Sequence, residues 1–295
     1  MNLTQRAIRF PCHGDWLFGI VTMPPAAVGR MRGVVVVVGG PQYRVGSHRQ
    51  FALLAEELAA QGVPVLRFDY RGMGDSEGDV RSFDDVDDDL RAAIDRFFVE
   101  EPALTDVVIW GLCDGASAAL FYAHRDARVS GLVLLNPWVR TDGGEAKAYL
   151  KHYYLKRVLS PELWRKILGG GFDFRSAATS FAAKVREATR STMPTPHQAD
   201  GNTPSGSAVE NTLPLPARMQ DGLRRFTGRV LLVMSGNDLT AREFTDLVGS
   251  SPDWQKLLTA PRVQQRTLAE ANHTFSRADW RAQVSGWTTE WIRSW

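Results

Sequence analysis

The chain has 295 residues, 44% of them hydrophobic and 23% charged, with a formal net charge of +2 at neutral pH. Such length and apolar content suit one large or two smaller globular domains with a sizeable core, and the small net charge points away from nucleic acid as a partner. Two cysteines, Cys12 and Cys113, make neither a disulfide framework nor a zinc motif. No metal or cofactor is expected.

In chain order, 7–22 reads as two short strands around a turn at 11–15, and the first ten residues, with Arg6 and Arg9 but no apolar core, predict no signal peptide. The valine run 34–38 is a strand's length, far short of a membrane span, and suits a buried central strand ended by Gly39-Gly40-Pro41. A cytoplasmic location is the resulting expectation. Residues 49–60 place Phe51, Leu54, Ala55 and Leu58 at helical spacing. A strand over 63–68 leads into the turn Asp69-Tyr70-Arg71-Gly72-Met73-Gly74-Asp75-Ser76, and 83–98 is helical again. Residues 106–110 and 131–135 read as further buried strands, the second ended by Asn136-Pro137.

Strands alternating with helices at these lengths predict a parallel sheet covered on both faces, with functional residues gathered at the carboxyl ends of the strands. The alternation stops after Pro137. Strands resume at 229–234 and 262–268, and a helix with Trp280, Val284, Trp287 and Trp291 closes the chain. The expected organisation is therefore a core of 1–137 and 228–295 interrupted by a helical cap over 138–227. Within the cap, 191–216 is rich in Pro, Ser, Thr, Gly and Asn, too polar to offset its ordering entropy, and a mobile loop is expected there.

The strand at 106–110 runs into Gly111-Leu112-Cys113-Asp114-Gly115 and then a small-residue helix. This is the construction of a G-x-S-x-G nucleophile elbow with cysteine in the serine's place. At such an elbow Cys113 has the unpaired N–H groups of a helix N-terminus near its sulfur, which favours the thiolate by roughly 0.3–1 kcal/mol. A base should arrive on a loop after the last strand, and His273 stands there. The acid that orients it should follow the strand 229–234, where Asp238 in Ser235-Gly236-Asn237-Asp238 is the only acid, a residue also suited to capping the next helix. An oxyanion hole takes one N–H from Asp114 and one from the loop after 34–38. Pro41 has no N–H, so Gln42 is the expected second donor. Arg44 and His48 follow closely and are candidates for meeting an anionic substrate group.

Two other stretches invite functional readings. Asp84-Asp85-Val86-Asp87-Asp88-Asp89 could suggest a metal site, but Ser82 followed by acids is how a helix begins. Residues 147–166 are basic and aromatic, which suits a lid helix with an apolar face and allows peripheral contact with a membrane surface or an acidic substrate.

The Gly-Gly-Pro loop, the Asp69–Ser76 turn, the elbow, the Asn237-Asp238 loop and Asn272-His273 occur in the order found in the α/β-hydrolase superfamily, which the chain resembles over nearly its whole length. More narrowly, GGPQYRVGSHRQF together with a G-L-C-D-G elbow resembles the type-one hydrolase associated with the exosortase A system. That resemblance implies a cytoplasmic α/β-hydrolase encoded beside exopolysaccharide and protein-sorting loci. Cysteine at the elbow departs from the superfamily's usual serine and resembles the dienelactone hydrolases. The expectation is a hydrolase with a Cys113-His273-Asp238 triad acting on a small-molecule ester or thioester. The alternatives are an acyltransferase using the same triad and a non-catalytic partner in polysaccharide assembly.

Overall fold

The computed structural model describes residues 3–25, 31–40, 42–139 and 213–295. The chain opens with an antiparallel hairpin, β1 (Thr4–Cys12) and β2 (Asp15–Met23), in which Cys12 pairs with Asp15. The two residues between them, His13 and Gly14, both have positive φ, the geometry whose twist matches a two-residue hairpin. The valine run forms β3 (Met31–Val37), followed by helix α1 (Gln50–Ala60) and strand β4 (Val65–Phe68). Next come α2 (Asp87–Glu100), β5 (Leu104–Leu112), α3 (Asp114–Tyr122) and β6 (Val129–Leu135). The described chain then resumes with α4 (Leu215–Arg225), β7 (Arg229–Ser235), α5 (Leu239–Ser250), α6 (Pro252–Leu258), β8 (Val263–Leu268) and α7 (Ala278–Arg293).

The eight strands form one sheet in the order β1-β2-β4-β3-β5-β6-β7-β8. β2 pairs antiparallel with both β1 and β4, and every pairing from β4 to β8 is parallel. β5 thus lies at the centre, between β3 and β6, and its carboxyl end carries Cys113 to the middle of the sheet's upper edge. One face is covered by α1 and α7, whose Phe51, Leu54, Leu58, Trp291 and Ile292 pack on Val34, Val36 and Val108. Each fully buried aliphatic or aromatic side chain there contributes about 1.5–3 kcal/mol relative to exposure. The other face holds α2 and α3, where Phe97 packs so close to Gly33 that a Cβ on that glycine would stand 2.6 Å from the ring. This is the α/β-hydrolase fold.

The helix expected over 83–98 begins later, at Asp87. Asp85 N–H bonds the Ser82 carbonyl in a preceding turn, and the side chains there are drawn elsewhere. The Phe83 ring stacks on Phe121 and meets Trp138 edge-on, with centroids 6.2 and 5.4 Å away. The acidic run is divided among basic partners: Asp84 with Arg218, Asp85 with Arg81, Asp87 with Arg125, Asp88 with His13 and Asp89 with Arg71. Asp89 is fully buried and bonds Arg71 through Nε at 3.0 Å, Nη2 at 2.8 Å and the backbone N–H at 2.7 Å.

Met1–Val139 and Pro216–Trp295 form one compact unit. α4 packs on α3, where Gly222 comes so near the Leu120 carbonyl that a Cβ would stand 2.0 Å from the oxygen. Most of the cap expected at 138–227 lies outside the described residues, as do the segment 147–166 and residues 191–212 of the polar stretch. Among the described residues, no helix is long and apolar enough to cross a membrane.

Candidate active site

Cys113 sits between the end of β5 and the start of α3 with φ 61° and ψ −127°, a conformation that L-residues rarely adopt. The turn is sharp because the flanking residues have no side chains. A Cβ on Gly111 would stand 2.4 Å from the Gly115 carbonyl oxygen, and one on Gly115 would stand 2.6 Å from the Val37 carbonyl oxygen. The backbone of Cys113 is held on both sides, its N–H donating to Leu135 and its carbonyl accepting from Trp138 at 3.2 Å. The cysteine itself is half-buried.

His273 arrives on the loop between β8 and α7, and Asp238 on the loop after β7. Their side chains meet, with Nδ1 of His273 2.8 Å from Oδ2 of Asp238. The same carboxylate accepts from the N–H groups of Thr240 at 3.2 Å and Ala241 at 3.0 Å, so Asp238 also caps α5. Asp238 is well sheltered, its side chain 7% exposed, whereas His273 at 33% reaches towards the open side. The imidazole lies beside the Cys113 side chain, which acts on the ring's charge. Burial pulls its pKa down, but Asp238 and Cys113 outweigh this and push it up to about 10. At neutral pH the ring is therefore an imidazolium with both nitrogens donating. The structure brings together the three side chains that the sequence places 125 and 35 residues apart (238 − 113 and 273 − 238).

Of the two backbone groups expected to receive an oxyanion, that of Gln42 is engaged. Gln42 N–H donates to the Gly40 carbonyl at 2.8 Å, and its side chain bridges the Gly39 carbonyl and Ser47. The Asp114 carboxylate accepts from the N–H of Gly40 at 2.6 Å. Burial raises the pKa of this carboxyl above its ordinary value despite the Gly40 N–H and the nearby His273.

Arg44, expected to meet an anionic substrate group, is committed within the protein. Its guanidinium pairs with the fully buried Asp69 and with Asp75 at 2.6 Å, and its backbone N–H also donates to Asp69. The arginine thus ties the oxyanion loop to the glycine-rich turn after β4. His48 lies exposed in a short 3-10 turn, Ser47–Arg49, with φ 52°. Among the described residues, no group of three His, Cys, Asp or Glu side chains is arranged to hold a metal ion.

Asn136, in sequence only a strand terminator before a proline, is fully buried at the heart of this arrangement. Its Nδ2 donates to the His273 carbonyl at 3.0 Å and its Oδ1 accepts from Ser235 N–H at 2.8 Å. The one available signal was chemical: Asn is among the few residues that tolerate the positive φ, here 42°, of a left-handed strand exit.

The pattern of the serine aminopeptidase S33 family matches residues 29–245. A polyketide transferase of a Penicillium species, grgF, is 27% identical over 135 residues, covering 43% of this chain and 42% of that one. The quorum-quenching protein AidA of Acinetobacter baumannii is 35% identical over 105 residues, 34% of each chain. The chain thus spans less than half the length of these curated relatives. In three dimensions it is similar to the Pyrococcus furiosus esterase Pf2001, with a TM-score of 0.65 at 15% identity, covering 99% of this chain and 92% of that one. Fold, strand order and the long family match agree: the chain belongs to the serine aminopeptidase S33 family of α/β-hydrolases, with cysteine at the elbow where the family is named for serine.

Proposed function

We propose that the protein hydrolyses a small-molecule ester or thioester through Cys113, His273 and Asp238. The observation that carries this reading is the Asp238–His273 hydrogen bond, with the imidazole beside Cys113 at the end of the central strand. Cys113 Sγ attacks the carbonyl carbon, an S–C bond forms, and His273 holds the proton that the thiol gives up. As the tetrahedral intermediate collapses, the bond to the leaving oxygen or sulfur breaks and His273 delivers its proton there. His273, now neutral, takes a proton from water as the water oxygen attacks the acyl-thioester; the S–C bond then breaks, the carboxylic acid leaves and the proton returns from His273 to the sulfur. Asp238 keeps the imidazole oriented and stabilises its charge.

In this reading the Asp114 N–H is the first oxyanion donor. Gln42 N–H becomes the second donor once it leaves the Gly40 carbonyl. Tyr43, Trp138 and Leu239 stand after the carboxyl ends of β3, β6 and β7, the same sheet edge that carries Cys113 after β5, and Tyr43 and Leu239 are exposed. These apolar side chains support a substrate whose acyl part is apolar rather than charged, with Arg44 internally paired.

A second reading, acyl transfer to a hydroxyl other than water, is favoured by the partial likeness to a polyketide transferase. It uses the same acyl-thioester, with the acceptor's hydroxyl proton passing to His273. The resemblance to exosortase-associated hydrolases supports a cytoplasmic role linked to exopolysaccharide synthesis for either activity.

The test is turnover of activated esters and thioesters with and without added alcohols, combined with mass mapping of the acylated residue. Acylation at Cys113 that vanishes in Cys113→Ala supports the reading, and product esters in the presence of alcohols select transfer. A Cys113→Ala variant as active as the wild type overturns both.

A further inference from the structure

Asn136 joins three parts of the site that are remote in sequence. It leaves β6 with φ 42°, its backbone N–H donates to Val233 of β7 at 3.1 Å, and its side chain spans from Ser235 to the backbone of His273. The strand that ends in Asn136 lies between the strand that ends at the cysteine and the strand that leads to the acid.

We infer that Asn136 is a positioning residue: it fixes the backbone carbonyl of His273 against the end of β7 and so sets the distance between the imidazole and Asp238. The inference rests on the catalytic reading above.

The chemistry of the position is demanding. Ser235 offers a donor and His273 an acceptor, both in a buried setting where an unmet polar group costs about 1–3 kcal/mol. One short side chain must therefore supply an acceptor and a donor at once and tolerate positive φ. Asparagine meets all three conditions. Aspartate keeps the acceptor for Ser235 but turns a carboxylate oxygen on the His273 carbonyl, and alanine leaves both groups unpaired.

Elsewhere the histidine loop is held by its own residues and by Asn237, whose N–H donates to the Ala271 carbonyl at 3.0 Å. Asn272 bonds Ser276 through its side-chain amide at 2.8 Å and through Ser276 N–H at 3.1 Å, and Phe275 is buried with φ 49°. Those contacts shape the loop, whereas the Asn136 amide anchors the His273 carbonyl to the neighbouring strands.

The test compares the wild type with Asn136→Asp and Asn136→Ala by steady-state kinetics and by NMR titration of the His273 ring. In Asn136→Asp, kcat is expected to fall about 10- to 100-fold with KM within about twofold, as a displaced catalytic group does. The His273 titration is expected to move down from its wild-type position as the Asp238 contact loosens, and Asn136→Ala moves it further. Titration and kcat unchanged in both variants overturn the inference.

Should the variants not fold, the wild type still decides. Protection of the Asn136 side-chain amide protons against exchange, with resonances that shift as His273 titrates, supports the brace. Exchange at the rate of exposed amides overturns it. A wild type whose Cys113 ignores acylating probes removes the catalytic reading alone, because the titration and exchange measurements need no turnover.

Discussion

The carboxylate of Asp238 holds the imidazole of His273 at 2.8 Å and, with the same two oxygens, caps the N-terminus of α5 through Thr240 and Ala241. In the proposed mechanism one side chain thus serves both catalysis and helix formation, and substitution separates the two. Asn caps a helix about as well as Asp, so at pH 10.5, where the His273 imidazolium no longer contributes, Asp238→Asn is expected to unfold at nearly the wild-type urea concentration. It presents an amide to the imidazole, and kcat is expected to fall on the order of 10³–10⁴-fold. Equal losses of stability and activity would place Asp238 in the cap alone.

The raised pKa of His273 has a consequence for stability with a definite sign. The imidazolium is favoured in the folded state, with a pKa of about 10 against an ordinary value of 6.5. Its contribution is fully present below pH 6.5 and is lost as pH rises through about 10. Urea midpoints are expected to drop between pH 8 and 10.5 in the wild type and to drop less in His273→Ala. Activity is expected to decline over the same alkaline range, because the leaving group then has no proton to take. A pH–rate profile with its alkaline limb near 7 would contradict this.

The backbone at Cys113 predicts an inversion of the usual order of glycine and alanine. A non-glycine residue in such a conformation costs about 1–3 kcal/mol, whereas elsewhere glycine is about 0.5–1 kcal/mol worse than alanine. Cys113→Gly, inactive by the proposed mechanism, is expected to unfold at a higher urea concentration than Cys113→Ala. The opposite order would mean that the elbow stores no strain.

The Arg71–Asp89 pair, buried and doubly bonded between side chains, contrasts with Arg81–Asp85, whose aspartate side chain is 75% exposed. Removing one partner of a buried pair strands the other, so Asp89→Ala is expected to cost about 3–5 kcal/mol. Asp85→Ala is expected to change stability by no more than about 1 kcal/mol. Denaturation of the two variants side by side tests the contrast.

The architecture was legible because local patterns carry it. Valine runs predict buried parallel strands, Phe51 and Leu54 lie at helical spacing, and Gly111 and Gly115 mark a turn that no larger residue could make. Helix starts were less legible. Asp87, not Phe83, begins α2 because Phe83 and Asp84 are drawn to Phe121 and Arg218, partners distant in sequence. Helix α6 went unread, although Ser251 followed by Pro252 is a capping residue before a proline at the first helical position.

At the site itself, the sequence by itself determined which chemical groups are available and in what order: a cysteine on an elbow, an acid after β7 and a histidine after β8. These follow from residue type and strand order, which are properties of the chain. Only the tertiary structure decided who meets whom. It turned Arg44 inward to Asp69, committed the Gln42 N–H to the Gly40 carbonyl, and made Asn136 a link between the acid's strand and the histidine's loop. The physical reason is that a buried polar group must find its partner in space, and the partners here lie as far apart in the chain as Asn136 and His273.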